Sequence, residues 1–297
     1  MSQVSPLSRK WLPLLPAVSW WAFFFLASLL AIIVYSFGVK TPLTALNPVS
    51  FDDPSLSNYR EAFSSVYIRV FWITLKTAGI GTIACLMMAF PVAYVLATRV
   101  SKHWRSWLLF VIIFPYWVSF LLRTFAWRII LAPEGAFSEA LQGLGIISAP
   151  LGILDTQMAV QMGIIYNYLP VAILPIFVAL ERIDPALRQA SADVGANRVT
   201  TFFRITLPLA TPGLIGAGVL TFILAAGDYV VPAILGGARG LMIGRLIALQ
   251  ILEAQNLPLG AAMAVVLIAA LLATGAIAGL ALIVLNWLNR KFQGASI

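Results

Sequence analysis

Apolar runs of twenty residues and more constrain this chain more tightly than any motif in it. They lie at about Leu12–Phe37, Val70–Ala97, Trp107–Leu131, Thr156–Leu180, Pro212–Leu235 and Pro258–Trp287. At about 1.5 Å of rise per helical residue, each is long enough to cross a hydrocarbon core about 30 Å thick. Lipid offers no partner to a free N–H or C=O, so runs of this kind are expected as α-helices. Composition removes the soluble alternative: the 297 residues are 61% hydrophobic and only 10% charged, where a soluble domain carries about 25% charge. The expected fold class is all-α, a polytopic membrane protein with about six transmembrane helices. The first run follows Arg9 and Lys10 but is too long for a signal peptide and has no clear small-residue cleavage site, so it reads as a retained anchor.

The net charge of +8 would suit nucleic acid only if the basic residues shared a face. Instead they sit between the apolar runs. One set of segments holds Arg9, Lys10, Arg99, Lys102, Arg105, Arg182, Arg188, Arg198, Arg204, Arg290 and Lys291; the alternate loops hold Lys40, Arg60, Arg69, Arg239 and Arg245, with Glu134, Glu139 and Asp155 between the third and fourth runs. The positive-inside tendency puts the richer set, and both termini, on the cytoplasmic side of the membrane. No nucleic-acid partner is expected; the partner common to all six runs is the lipid bilayer.

Enzymatic chemistry finds little to use. Cys85 is the single cysteine and His103 the single histidine, the latter in a short loop beside Lys102 and Arg105. Neither a disulfide, a metal site nor a catalytic residue is expected. No Gly-rich phosphate loop with its Lys-Ser or Lys-Thr occurs, so the chain has no ATP site of its own. Within the spans, Pro91, Pro170 and Pro175 each remove a backbone donor, which suits either bent helices around a path or simple packing kinks. Gly260, Ala261, Ala262, Ala269, Ala270, Gly275 and Gly279 make the last span a close-packing surface.

The segment 183–211, between the fourth and fifth spans, has helical grammar of its own. Asp184 is an N-cap, Pro185 suits the first helical position, Ala186 to Val194 form two to three turns, and Gly195 closes them. A second start at Asn197 runs through Arg198, Phe202, Phe203 and Arg204 to Ile205 and is expected to stop before Pro208. Two short helices meeting at a bend fit either an amphipathic pair on the membrane surface or a docking knob. In the second reading small residues at Ala190, Ser191 and Ala192 admit another surface, and Arg188, Arg198 and Arg204 rim it.

Gln189-Ala190-Ser191, three residues, Gly195, nine residues, then Ile205-Thr206-Leu207-Pro208 resembles the EAA loop of type I ABC importer permeases, Glu-Ala-Ala, three, Gly, nine, Ile-x-Leu-Pro. Gln189 and Ser191 depart from it. Pro115-Tyr116-Trp117, Leu122-Arg123, Ala126-Trp127, Gly227-Asp228-Tyr229-Val230-Val231-Pro232 and Leu235-Gly236-Gly237 are similar to the spermidine/putrescine permease branch. The resemblance covers about Trp72 to Asn286. It implies the type I importer transmembrane fold, a coupling loop made of Arg188, Gln189, Ala190, Ser191, Gly195, Arg198, Ile205, Leu207 and Pro208, and an alternating-access cycle. It also implies a second permease subunit, homologous or identical, two cytoplasmic ATPase subunits that bind ATP and Mg, and an extracytoplasmic substrate-binding protein. The implied division is 1–69 for the N-terminal segment, first helix and outer loop, 70–287 for the permease domain with its loop at 183–211, and 288–297 for the tail.

Candidate path residues follow from charge and aromaticity in the spans. Asp228 lies about 24 Å into the fifth span, where a lone carboxylate costs about 2.5 to 3.5 kcal/mol. It either pairs with Arg123, at a similar depth in the third span, or attracts a cation. Tyr116, Trp117 and Trp127 offer cation–π faces or serve as interfacial anchors. Tyr166 and Asn167 stand just before Pro170, and Tyr229 follows Asp228. Arg123 and Arg128 suit an anionic or zwitterionic solute equally well, so charge leaves the cargo open between a polyamine and an opine, amino-acid-like compound, phosphonate or iron. Ion-gradient transport is the rival reading, and it predicts an internal repeat between halves that the sequence does not display.

Overall fold

The structure is a computed structural model describing residues 14–42 and 47–294, with 285–294 as backbone only. Arg9 and Lys10 of the expected orientation signal lie outside the described residues, as do the side chains of Arg290 and Lys291. In chain order the elements are α1 (Leu15–Ser36), β1 (Val39–Lys40), β2 (Val49–Ser50), α2 (Ser57–Ala62), α3 (Ser65–Thr98), α4 (Lys102–Ile113), α5 (Phe120–Ile130), α6 (Ala136–Gly143), α7 (Gln157–Glu181), α8 (Pro185–Asp193), α9 (Arg198–Thr201), α10 (Leu207–Gly227), α11 (Val230–Leu235), α12 (Ile243–Ala248) and α13 (Leu257–Gly294). Among the described residues five helices are long and apolar enough to cross a membrane, and a bent pair makes a sixth. Compact contacts divide the chain into two units, 1–65 with 247–266 and 66–246 with 267–297.

In the first unit α1 is apolar on every side, the signature of a helix surrounded by lipid or other helices. Its C-terminal end is tied down by polar contacts: Asn58 Nδ2 donates to the carbonyls of Ser36 (3.0 Å) and Gly38 (2.8 Å), and the Ser36 and Tyr59 hydroxyls are 2.7 Å apart. β1 and β2 pair antiparallel, Val39 opposite Ser50 and Lys40 opposite Val49. Lys40 Nζ donates to the carbonyl of Ala254 (2.7 Å), covering the end of the π-turn Leu249–Glu253.

The second unit is built on α3, α7 and α10. The buried face of α3 is a stripe of small residues, Thr77, Ala78, Gly81, Cys85, Ala89 and Ala93. Small side chains let membrane helices approach closely, because packing rather than water exclusion drives their association. A Cβ on Gly81 would lie 2.7 Å from Ile164 of α7, and one on Gly213 of α10 would lie 2.3 Å from Ala179 and 3.0 Å from the Pro175 carbonyl. Pro170 and Pro175 sit inside a continuous α7, and Pro91 inside a continuous α3.

Two expectations need correction. The run 107–131 is not one helix. α4 ends in a 3-10 turn, Phe114–Trp117, and after Val118 and Ser119 adopt extended conformations α5 departs at 87°. Pro115 supplies the cause, since it cannot donate to the preceding turn. Nor does the second loop helix stop at Pro208. A π-turn, Phe202–Thr206, widens the backbone just ahead of it, the Leu207 N–H bonds to the Phe202 carbonyl, and the helix continues as one span from Arg198 to Gly227. A π-turn shifts the bonding register, so the missing Pro208 donor and its ring fall where the i−4 bond is already gone.

Candidate functional site

The loop 183–211 is held by local bonds at each end of its first helix. Asp184 Oδ1 accepts from the Ala186 N–H (2.9 Å) and Pro185 occupies the first turn of α8. At the other end the Gly195 N–H reaches the Ala192 carbonyl (2.9 Å) and the Ala196 N–H the Ser191 carbonyl (3.0 Å), with Gly195 at φ +82°. This is a Schellman close, which needs a left-handed residue and favours glycine. Asn197 Oδ1 then accepts from Thr200 N–H (2.8 Å) to start α9.

Inside this frame Ser191 turns inward. It is buried, and its hydroxyl lies 2.9 Å from that of Thr201, tying α8 to α9. It therefore does not belong to the outward small face expected of Ala190, Ser191 and Ala192. Gln189, Ala190 and Gly195 are exposed, and Ile205 and Leu207 are half-buried beside an exposed Pro208. Val194 is 84% exposed and Leu187 45%. Their seven-residue spacing makes an apolar ridge that the sequence reading passed over. Phe202 fixes the loop to α3 through edge contacts with Phe90 (5.6 Å) and Tyr94 (5.8 Å). Arg188 and Arg198 line a cavity under the loop together with Arg99.

A second cluster lies in the spans. Arg123 is buried, its guanidinium 4.4 Å from the Tyr116 ring centroid and 5.8 Å from that of Phe120. The Tyr116 hydroxyl donates to the Asn167 carbonyl, and Asn167 Nδ2 donates to the Gly163 carbonyl (3.0 Å) and Thr124 Oγ1 (3.4 Å). Asp228 is also buried, but it forms no ion pair with Arg123 among the described residues. Its Oδ1 accepts from Val230 N–H (2.8 Å) and Val231 N–H (3.2 Å), and its Oδ2 from the Tyr168 hydroxyl (3.1 Å). Of the two alternatives for Asp228, the pair with Arg123 does not form, and a helix cap stands in its place: α10 breaks at Asp228, and the carboxylate satisfies the first N–H groups of α11.

The far end of α11 is closed with the opposite charge. Arg128 donates to the Ile234 carbonyl, Arg245 donates to the carbonyls of Pro232 (3.1 Å) and Gly237, and the Asp155 N–H reaches the Leu235 carbonyl (3.0 Å). An acid at the start and bases at the end match the helix dipole. Trp127 meets Tyr166 edge-on at 5.4 Å. Trp117, 75% exposed, joins Phe110 and Phe114, and Tyr229 is exposed, so both stand outside the cluster. Tyr168 and Arg245 belong to it and were not foreseen, because nothing local in sequence ties them to residue 228. Lys76, also unforeseen, lines a cavity of about 410 Å³ with Gln157, Gln161 and Arg239. Among the described residues no group of His, Cys, Asp and Glu could hold a metal.

With this geometry in hand, residues 89–294 match the family model described as "Binding-protein-dependent transport system inner membrane component". The chain is 36% identical over 248 residues to the spermidine/putrescine transport system permease protein PotB of Haemophilus influenzae, covering 83% of this chain and 85% of that one. It is 37% identical over 213 residues to PotB of Escherichia coli, covering 72% and 77%. Among solved structures it is similar in fold to a chain of a bacterial alginate ABC transporter bound to its periplasmic protein, with a TM-score of 0.69, 19% identity and 92% and 94% coverage. The MetNI methionine ABC transporter gives a TM-score of 0.56, with 19% identity and 73% and 95% coverage.

Proposed function

The chain belongs to the family of binding-protein-dependent transport system inner membrane components, and from that premise we propose that it carries polyamines inward as one of two permease subunits. Its work is that of a transport subunit in a multi-pass membrane protein, with ATP hydrolysis on separate subunits. In this reading both termini face the cytoplasm, and two ATPase subunits that bind ATP and Mg receive the loop 183–211. A second permease subunit completes the path, and an extracytoplasmic protein delivers the solute. The observation that carries the proposal is the built loop. Asp184, Gly195 and Asn197 fix a short helix ahead of α9, and α9 runs through the π-turn into α10 without a break. A push on α8 therefore acts on a transmembrane span directly.

Polyamine cargo is supported by the two PotB relatives and by the carboxylate of Asp228 with the aromatic rings of Tyr168, Tyr116 and Trp127 in the same spans, an acid and π-faces suited to a cation. Uptake of labelled spermidine into vesicles holding this chain, its permease partner, the ATPases and the loaded binding protein tests it. Uptake should require ATP. Accumulation driven by an ion gradient without the ATPases would overturn the proposal. Buried Arg123, which has no carboxylate partner among the described residues, favours one second reading, a zwitterionic amino-acid-like solute. Competition of such a solute against spermidine at the binding protein decides between them.

A further inference from the structure

We propose that the cavity beneath the coupling loop is a binding site for a phosphate-class anion, either a free phosphate or the phosphate of a lipid headgroup. It encloses about 510 Å³ between the C-terminal end of α3 (Tyr94, Thr98, Arg99), α8 (Arg188, Ala192) and the start of the fifth span (Arg198, Thr201, Thr206). Three guanidinium groups line it and no carboxylate does. None of the three makes an ion pair among the described residues. Like charges collected on one concave wall repel one another unless an anion joins them. The flat, multiply donating guanidinium fork matches the oxygens of phosphate and of carboxylate, and of the two a phosphate offers more oxygens for three such groups to share.

Two unsatisfied atoms point the same way. Arg188 Nη1 is buried without a hydrogen-bond partner, and Thr206, 1% exposed, has a buried Oγ1 without one. Buried polar atoms are nearly always paired, so a donor from each is available to a ligand oxygen. The two other threonine hydroxyls are committed: Thr98 donates to the Tyr94 carbonyl (2.7 Å) and Thr201 bonds to Ser191 and to the Asn197 carbonyl (3.1 Å). The lining thus supplies cationic donors and the buried, unpaired Thr206 hydroxyl, and the site lies where a transmembrane helix ends, at headgroup depth. Occupancy would bind α8 to the end of α3 and so tune how stiffly the loop is held.

The test uses the full transporter complex in nanodiscs. In one arm the lipid is phosphatidylcholine and inorganic phosphate replaces chloride at constant ionic strength; in the other, phosphatidylglycerol is added without phosphate. Melting temperature is read in both arms, and bound phosphatidylglycerol is counted by native mass spectrometry. Wild type should be stabilised in at least one arm, the phosphate arm identifying a free anion and the lipid arm alone a headgroup. Arg188→Gln and Arg198→Gln should need about tenfold more phosphate or phosphatidylglycerol for the same stabilisation, the size of one lost charge-assisted hydrogen bond. Thr206→Val guards against a folding defect. It should melt no lower than wild type in phosphate-free phosphatidylcholine, because it removes an unpaired hydroxyl, and still respond less to the anion. Equal responses from wild type and all three variants would overturn the site and leave water as its occupant. Weaker retention of the ATPase subunits by Arg188→Gln, with its anion response intact, would instead assign Arg188 to a partner's carboxylate and overturn it too.

Discussion

Replacing Gly195 separates what the loop needs for its own shape from what a partner surface needs. Gly195 holds φ +82°, and a Cβ built there meets nothing within 4 Å. Within this chain the cost of a Cβ is therefore conformational, about 1–2 kcal/mol for an L-residue held left-handed, or about a 5- to 30-fold fall in the population of the closed Schellman turn. Ala and Trp should bear the same conformational cost, and Asn less, since it tolerates this region. The purified permease should accordingly melt at one temperature for Gly195→Ala and Gly195→Trp. ATPase turnover of the reconstituted complex, stimulated by loaded binding protein, should divide them: a modest loss for Ala, near-abolition for Trp, near-normal turnover for Asn. Equal turnover for Ala and Trp would show that no surface closes over Gly195, and the docking argument would fail. Asn as damaging as Ala would refute the left-handed requirement instead.

Three further outcomes follow from packing and capping. Gly213→Leu, placed 2.3 Å from Ala179, should destabilise by about 1–3 kcal/mol through overpacking between α7 and α10, measured by thermal melting in detergent. Asp228→Asn keeps an oxygen for the Val230 and Val231 N–H groups and should retain stability, whereas Asp228→Ala should lose about 1 kcal/mol of cap; a spermidine uptake defect already present in the stable Asp228→Asn would give the carboxylate's charge a part in the path, and wild-type uptake by it would limit Asp228 to capping. Arg105 bonds Glu181 at 2.7 Å and the carbonyls of Ala97 (3.1 Å) and Val100 (3.3 Å), so Arg105→Ala should cost more stability than Glu181→Gln, whose half-exposed ion pair is worth about 0.2–1 kcal/mol. Chemical denaturation in micelles compares the two.

What the sequence made legible was local. Asp184, Gly195 and Asn197 fix their own turns through atoms two to five residues away, so spacing alone finds them. Hydropathy finds spans but not their continuity: residues 102–130 meet the same apolar test bent as straight, and only the 3-10 turn at Pro115 tells them apart. Pro208 misled for a related reason, because its veto on helix holds for an i−4 register and the π-turn changes that register. The partners of Asp228 were hidden by distance along the chain. Tyr168 lies sixty residues away, and a carboxylate whose first bonds go to the next helix start cannot be told from one awaiting a counter-ion. Ser191 was misplaced because a small residue reads alike whether it admits a partner or hides beneath its own loop.

The helix that begins at Arg198 and ends at Gly227 has a mechanical consequence. Its thirty residues make a rod about 45 Å long, fixed by the Phe202 contacts near one end and ending at the break before Asp228 at the other. Pivoted near its base, such a rod magnifies displacement: a tilt of about 5° would carry the far tip by about 4 Å, a full van der Waals diameter. Motion too slight to disturb the packing around Gly213 would thus arrive at α11 as a change of neighbour. In the proposed transport cycle the length of that one unbroken helix, more than any single residue, would set how far an outer gate moves.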